Sequence, residues 1–372
     1  MRIPLSAPEI TEQDIEAVTG VLRTSSLSLG PKVGEFERAI SDYVGASDAI
    51  AVHSGTSGLH LCIRALGISE GDEVLVPSFA FVAVANAVRY EKATPVFVDI
   101  DPQTLNLDPS LLEKAITPRT RAILVVHTFG CPAELTSILQ IARRHGLFVI
   151  EDACEAIGAE YEGQRVGALG DVGVFAFYPN KQITTGEGGA VVTNNSEIAL
   201  KVRKLRNQGR DDSGEWFQHT ELGYNYRISD INCALGIEQL NRIDAILDRR
   251  ESIARQYSDI LRCVSDLIIP AMVLPRRKIS WFVYAVRLSR RFDKEHRDWI
   301  VNEMKSRGIA LGRYFAPIHL QPIYQPSDSG QTALPVTEFQ ASRSLALPFF
   351  NRIREEEIKE VCQTLVELIR RG

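Results

Sequence analysis

Short apolar runs alternate with amphipathic stretches up to about residue 200, and this alternation limits the fold more than any other feature. The candidate strands are Glu73–Pro77, Thr94–Asp99, Arg121–Val126 and Leu147–Ile150. Asp108-Pro109 opens one of the intervening helical stretches, which carries Leu111, Leu112 and Ile116. Aspartate suits the cap there and proline the first turn. The alternation predicts an α/β fold with a mainly parallel sheet flanked by helices. No dinucleotide-binding glycine fingerprint accompanies it, which argues against a nicotinamide enzyme.

The second half reads differently. A polar helical stretch runs from about Ile228 to Leu261, and Trp281–Leu288 reads as a strand. Helices are expected from His296 to Arg307 and from Glu355 to Arg371, the last with Ile358, Val361, Cys362, Leu365 and Ile369 on one face. Gln325 to Thr332 reads as an exposed polar loop. With 372 residues, 45% of them apolar, the chain is long enough for a large domain and a smaller one. The division expected is 20–240 for the large domain and 241–372 for a smaller α+β domain, with residues 1–19 packing on the latter.

A net charge of −5 argues against a broad nucleic-acid surface. The six cysteines form no Cys-x-x-Cys pair, so no zinc or other metal site is expected. Cys62, Cys233 and Cys362 read as reduced core residues. Met1-Arg-Ile-Pro lacks a signal-peptide stretch, and no long apolar span follows. A cytoplasmic protein without a membrane partner is the expectation.

Three segments carry chemistry. In Val174–Gly189, Lys181 follows an aromatic run and a Pro-Asn turn and precedes a glycine-rich loop. A Schiff-base lysine must be partly neutral near pH 7, and burial among aromatics favours the neutral amine. A lysine exposed in a surface turn is the alternative. In Leu147–Ala156, an apolar run ends in Asp152 and Glu155. Ligands of open α/β sheets sit at such carboxyl ends, and a carboxylate there can hold a pyridine nitrogen protonated. Asp152 would also serve as a helix cap. Lysine and aspartate together are the minimum for pyridoxal 5'-phosphate (PLP). In the third segment, Ala49–Gly67, a strand runs into Ser54-Gly55-Thr56-Ser57 and a helix that Gly67 would close. Such a helix start suits a phosphate.

These segments together resemble the DegT-type (DnrJ/StrS-like) family of PLP-dependent nucleotide-sugar aminotransferases, of PLP fold type I. Leu222–Gly236, Gly30–Phe36 and Pro317–Pro322 extend the resemblance over nearly the whole chain. It implies a seven-stranded sheet in the large domain. It implies that Lys181 forms the internal aldimine, released as the pyridoxamine form arises in turnover, and that Asp152 pairs with the pyridine nitrogen. Glu155 falls near the cofactor's phenolic oxygen, where it must be protonated or find another donor, since two anions repel. Phe81 resembles the aromatic stacked on the ring. Gly55, Thr56 and Ser57 match the phosphate cup. Asn225 and Arg227 match a loop that reaches the neighbouring subunit's phosphate region, which implies a homodimer with shared sites. Ser28, Tyr314 and His319 fall near the sugar, with His319 a candidate catalytic hydrogen-bonding group or a structural loop histidine. One departure is visible: many relatives have serine where this chain has Ala176.

The resemblance implies transfer of an amino group from L-glutamate to a nucleotide-linked keto-sugar. A 4-keto-6-deoxyhexose is the expected acceptor, with C4 favoured over C3. A PLP-dependent sugar dehydratase of the same fold would carry histidine in place of Lys181. A non-catalytic regulator on this fold would not need Lys181 and Asp152 together.

Overall fold

The computed structural model describes residues 1–211, 218–325 and 333–372. Of the polar loop expected at Gln325 to Thr332, only Gln325 lies among the described residues. Five strands alternate with helices in the first part: β1 (Asp48–Val52), β2 (Glu73–Pro77), β3 (Thr94–Val98), β4 (Thr120–Val126) and β5 (Phe148–Asp152). The short β6 (Glu160–Tyr161) and β7 (Gln164–Arg165) precede β8 (Val172–Ala176) and β9 (Gly189–Thr193). The main sheet has seven strands in the order β1-β9-β8-β5-β4-β2-β3. Pairings from β8 to β3 are parallel, and β9 runs antiparallel to both β8 and β1. The link from β8 to β9 carries Lys181 and holds no helix. Without a helix to carry it across the sheet face, the chain returns antiparallel.

Both faces of this sheet are covered. Leu75, Ile123 and Val125 enter one core, with Phe36, Ile138 and Phe177. Val74, Val76 and Leu124 enter the other, with Leu61, Val84 and Val202. Period-two alternation between two buried faces explains the uninterrupted apolar runs. Each such Val or Leu contributes roughly 1.5–3 kcal/mol by leaving water. The helices that cover the faces are α1 (Glu12–Leu22), α2 (Pro31–Val44), α3 (Gly55–Ala65), α4 (Ala83–Tyr90), α5 (Pro109–Ala115), α6 (Leu135–His145), α7 (Ser196–Arg206) and α8 (Asp230–Asn241). Asp108 caps α5 through the Ser110 N–H at 2.9 Å. Gly67 lies one residue beyond the α3 C-cap, Leu66, and takes φ +75°.

The helical stretch expected from Ile228 to Leu261 is broken. Arg242 (φ −117°, ψ 18°) separates α8 from α9 (Ile243–Leu261). Its guanidinium is tied to Asp14 of α1 at 2.6 Å and to the Glu9 carbonyl at 2.8 Å. The break is made by these distant partners. Beyond it, β10 (Leu267–Ile268), β12 (Tyr284–Leu288) and β13 (Ser344–Leu347) form an antiparallel sheet, while β11 (Arg277–Lys278) pairs with β6. With α10 (Lys294–Ser306), α11 (Pro335–Ala341) and α12 (Glu355–Arg371) completing the fold, Tyr257, Tyr284, Met304 and Leu365 lie in a third core that also takes in Ile3. Among the described residues no helix is long and apolar enough to cross a membrane.

Glu151, the residue before Asp152, anchors the active end of the sheet. The Ala133 N–H donates to His127 Nδ1 at 3.1 Å, so the ring proton sits on Nε2 and is donated to Glu151 at 2.9 Å. Backbone N–H groups of Gly167, Leu169 and Gly170 also donate to this carboxylate. Burial opposes its charge, but these donors outweigh burial and hold the carboxyl below its usual 4.5. A depressed carboxyl stabilises the fold above its unfolded pKa, and that contribution is lost as pH falls below about 4.5 toward the folded value. Glu151→Gln is expected to cost about 3 kcal/mol at pH 7, because buried donors lose an ionised acceptor. The gap from the parent should narrow below pH 4 in urea titrations. A cost under about 1 kcal/mol would show that the network carries little stability.

Candidate active site

The carboxyl ends of β2, β4, β5 and β8 open on one side of the sheet, and a cavity of about 430 Å³ lies there. The turn after β1 supplies Gly55 and Thr56, and the segment after β2 supplies Phe81. Asp152 and Glu155 come from the end of β5, and Lys181 from the β8–β9 link. Phe282, Tyr314 and Phe315 reach in from the C-terminal part.

The backbone around Lys181 is held on both sides. Its N–H donates to the Tyr178 carbonyl at 2.9 Å. The buried Gln182 amide donates to the Glu155 carbonyl at 2.7 Å and to the Ser280 carbonyl at 3.1 Å. Asn232 ties down the Thr185 carbonyl at 2.5 Å. The lysine side chain is only 14% exposed, with Nζ 3.6 Å from Glu155 Oε1 and 4.2 Å above the Phe282 ring. This excludes the surface-turn alternative.

Glu155 is buried, and burial pushes its carboxyl above the usual range, with the charge on Lys181 opposing. Its Oε2 accepts the Phe129 N–H at 2.9 Å. That bond favours the carboxylate, so it is burial that holds Glu155 toward its neutral form. Asp152 is 7% exposed and lines the cavity. Its Oδ1 also accepts the Cys154 N–H at 3.0 Å, but the chain continues in turns to β6 with no helix there, so this bond holds a turn and the helix-cap alternative is not met. Phe81 is 62% exposed and lines the cavity, whereas Phe79, two residues earlier, is the core aromatic. Tyr314 is stacked on Phe315 and Phe282, and burial raises its phenol, opposed by a hydrogen bond from Asn180.

The start of α3 is capped reciprocally: Ser54 Oγ accepts the Ser57 N–H, and Ser57 Oγ accepts the Ser54 N–H. That occupies the third helical N–H. The N–H groups of Gly55 and Thr56, on the cavity side, are the orphans of this helix start. Side chains have no room there, because a Cβ on Gly55 would meet Ala176 Cβ and Cys154 Sγ, each at 2.8 Å. An anion seat, a carboxylate, a flat apolar wall and an amine thus border one cavity. These groups fit PLP.

The remaining expected residues lie elsewhere. Ser57 serves the capping box and does not line this cavity. Asn225 is exposed and bridges to Asn207; Arg227 donates to Asn207 and Gln208 at 3.0 and 3.2 Å. Ser28 is exposed and bridges to Ser229. His319 is 5% exposed and lies outside the cavity lining, with Nδ1 2.6 Å from Ser78 Oγ and Nε2 3.3 Å from Glu338. Both its nitrogens are engaged by protein, which corrects the expectation that it faces the sugar within this cavity. Cavity residues that sequence reasoning missed include Tyr178, Asn180, Glu187 and Phe282. The first three lie in the lysine segment already singled out. Phe282 carries no local signal, since it reads as one more apolar strand residue.

Comparison with known proteins agrees with this geometry. The model of the DegT/DnrJ/EryC1/StrS aminotransferase family matches residues 8–366. The chain is 40% identical over 371 residues to GDP-perosamine synthase of Caulobacter vibrioides, covering 99% of this chain and 98% of that one. Among solved structures it resembles DesV of S. venezuelae at 35% identity and a TM-score of 0.92, over 100% of this chain and 99% of that one. It also resembles Spr1654 of Streptococcus pneumoniae in its PMP form, at 27% identity and a TM-score of 0.95, over 100% and 98% of the two chains. Sequence, sheet order and the lysine–carboxylate cavity lead to one assignment: the protein belongs to the DegT/DnrJ/EryC1/StrS aminotransferase family.

Proposed function

We propose that this enzyme uses PLP to move an amino group from L-glutamate to a nucleotide-linked keto-sugar. The observation that carries this reading is the convergence of Lys181, Asp152 and Glu155 with the open start of α3 in one cavity. When bound, PLP supplies an electron sink for a carbanion at the amine-bearing carbon. Lys181 anchors the cofactor and, once freed, moves the proton at that carbon. Asp152 would hold a proton at the ring nitrogen, and Phe81 would supply an apolar wall beside the ring. Glu155, kept from full charge by burial, can share a proton with the phenolic oxygen without repelling it. Gly55 and Thr56 offer N–H groups to the phosphate. Ala176 brings no hydroxyl there, so backbone amides carry more of that contact.

The name of the Caulobacter relative contains a guanosine-diphosphate-linked sugar, which supports a nucleotide-linked acceptor here. Amination at C4 of a 4-keto-6-deoxyhexose is the favoured outcome. Remote binding energy from the nucleotide can position the ketone. Removing the nucleotide is therefore expected to lower kcat/KM by on the order of 10²-fold or more, with kcat falling as well as KM rising. The comparison pairs the nucleotide-linked ketone with the free sugar, glutamate being donor, and mass spectrometry reads the product. Equal amination of the free sugar, or of pyruvate, would refute the assignment.

The working unit is a homodimer with two shared sites. Asn225, which is exposed, and Arg227, which is half-buried, lie outside their own chain's cavity, where a partner's site can use them. Sedimentation velocity should give a dimer at working concentration. A fully active monomer would remove the basis for shared sites.

A further inference from the structure

The structure assigns Arg250 a positioning role on the amine of Lys181, exerted through the Phe282 ring. Arg250 lies on α9 and is 3% exposed. Its Nε donates to the Trp281 carbonyl at 2.6 Å and its Nη2 to the Phe282 carbonyl at 2.8 Å. Its Nη1 donates to Asn351 Oδ1 at 3.0 Å, and the guanidinium lies 4.9 Å from the Phe349 ring centre. All three acceptors are neutral. Burial lowers this arginine to about 10, so it remains charged at neutral pH. A buried cation held by neutral acceptors is costly, and its geometry is its visible use.

That geometry bears on the cavity. Trp281 and Phe282 precede β12 and would continue as strand by sequence. Trp281 packs into the third core, whereas Phe282 turns into the site, where its ring centre lies 4.2 Å from Lys181 Nζ. The same segment is fixed from the other side. The Ser280 N–H donates to the Gly130 carbonyl at 3.0 Å, and Gln182, next to Lys181, donates to the Ser280 carbonyl at 3.1 Å. Ser280–Phe282 is thus clamped between the lysine segment and Arg250. The planar fork reaches two consecutive carbonyls and an amide at once, which an ammonium cannot do. Arg250 acts on the reacting amine only through Phe282 and is no catalytic residue.

This inference rests on the reading of Lys181 as the reactive amine, yet its test needs neither cofactor nor substrate. The full chain, stripped of cofactor, is treated with acetic anhydride, and the acylation rate of Lys181 is read by peptide mass. Lys92, whose side chain is 76% exposed, is the internal standard. Arg250→Lys and Phe282→Leu should each speed Lys181 acylation roughly fivefold, because the ammonium loses its seat over the ring. The double variant should react no faster than the faster single one, as residues acting in series are not additive. Arg249→Lys is the control. Its guanidinium bonds the Asn351 and Ile353 carbonyls and does not touch Phe282. It should leave the Lys181 rate unchanged even where it lowers the melting temperature. Should Arg250→Lys fail to fold, Asn351→Ala takes its place by removing one acceptor of the guanidinium. A folded variant with the parental Lys181 rate, or effects that multiply in the double variant, would overturn the assignment. Failure of aminotransfer with any sugar would leave this result untouched, so the two ideas fail separately.

Discussion

Lys181→Ala is expected to lower aminotransfer about 10⁴-fold, the upper end of what a positioned acid–base group supplies. The loss should exceed that of any other single substitution, because one amine both anchors the cofactor and moves the proton. Borohydride treatment of the variant with added PLP should leave no cofactor mass on the Val174–Gly189 peptide. Lys181→Arg should be equally inactive: it keeps the charge beside Glu155, but a guanidinium stays protonated. Folding should change little in Lys181→Ala. The lysine makes no buried hydrogen-bond network of its own, and Glu155, already pushed toward its neutral form by burial, can take up a proton when its cation is removed. Calorimetry and turnover measured on one preparation separate the two effects. Activity within tenfold of the parent would refute the mechanism.

Much of this site was legible because it is local. Strands β2 to β5 were readable since both sheet faces are covered, which writes a continuous apolar run into the chain. The lysine segment was readable because its turn and glycines are contiguous. The Arg242 break was not, because Asp14 and Glu9 make it from far along the chain. Phe282 was hidden for the same reason, since its place depends on Arg250 and Gln182. His319 shows the converse. Its motif was visible, but its partners Ser78 and Glu338 were not, and they hold the ring buried outside the cavity lining. Ser28, Asn225 and Arg227 lie outside the cavity of a single chain, so the contacts expected of them are not made within it.

Asp152→Asn should lower kcat by about 10²–10³-fold, the usual loss when one preorganised electrostatic contact is removed. This substitution distinguishes the two roles that the position supports. Asp152 Oδ1 accepts the Cys154 N–H at 3.0 Å, a bond to the backbone two residues on that asparagine forms as readily as aspartate. The amide can keep that bond through its own Oδ1, so stability should change by less than about 1 kcal/mol. Its remaining group is then an N–H donor with no charge. A donor facing the ring nitrogen cannot hold a proton there, and the electron sink is weakened. Asp152→Ala removes both functions and should lose stability as well as rate. A residue that only holds the turn predicts the reverse ranking, with Asn nearly as active as the parent and Ala impaired only in folding. Measured on purified protein with glutamate and the nucleotide-linked ketone, a parental kcat in Asp152→Asn would reduce this aspartate to a turn residue.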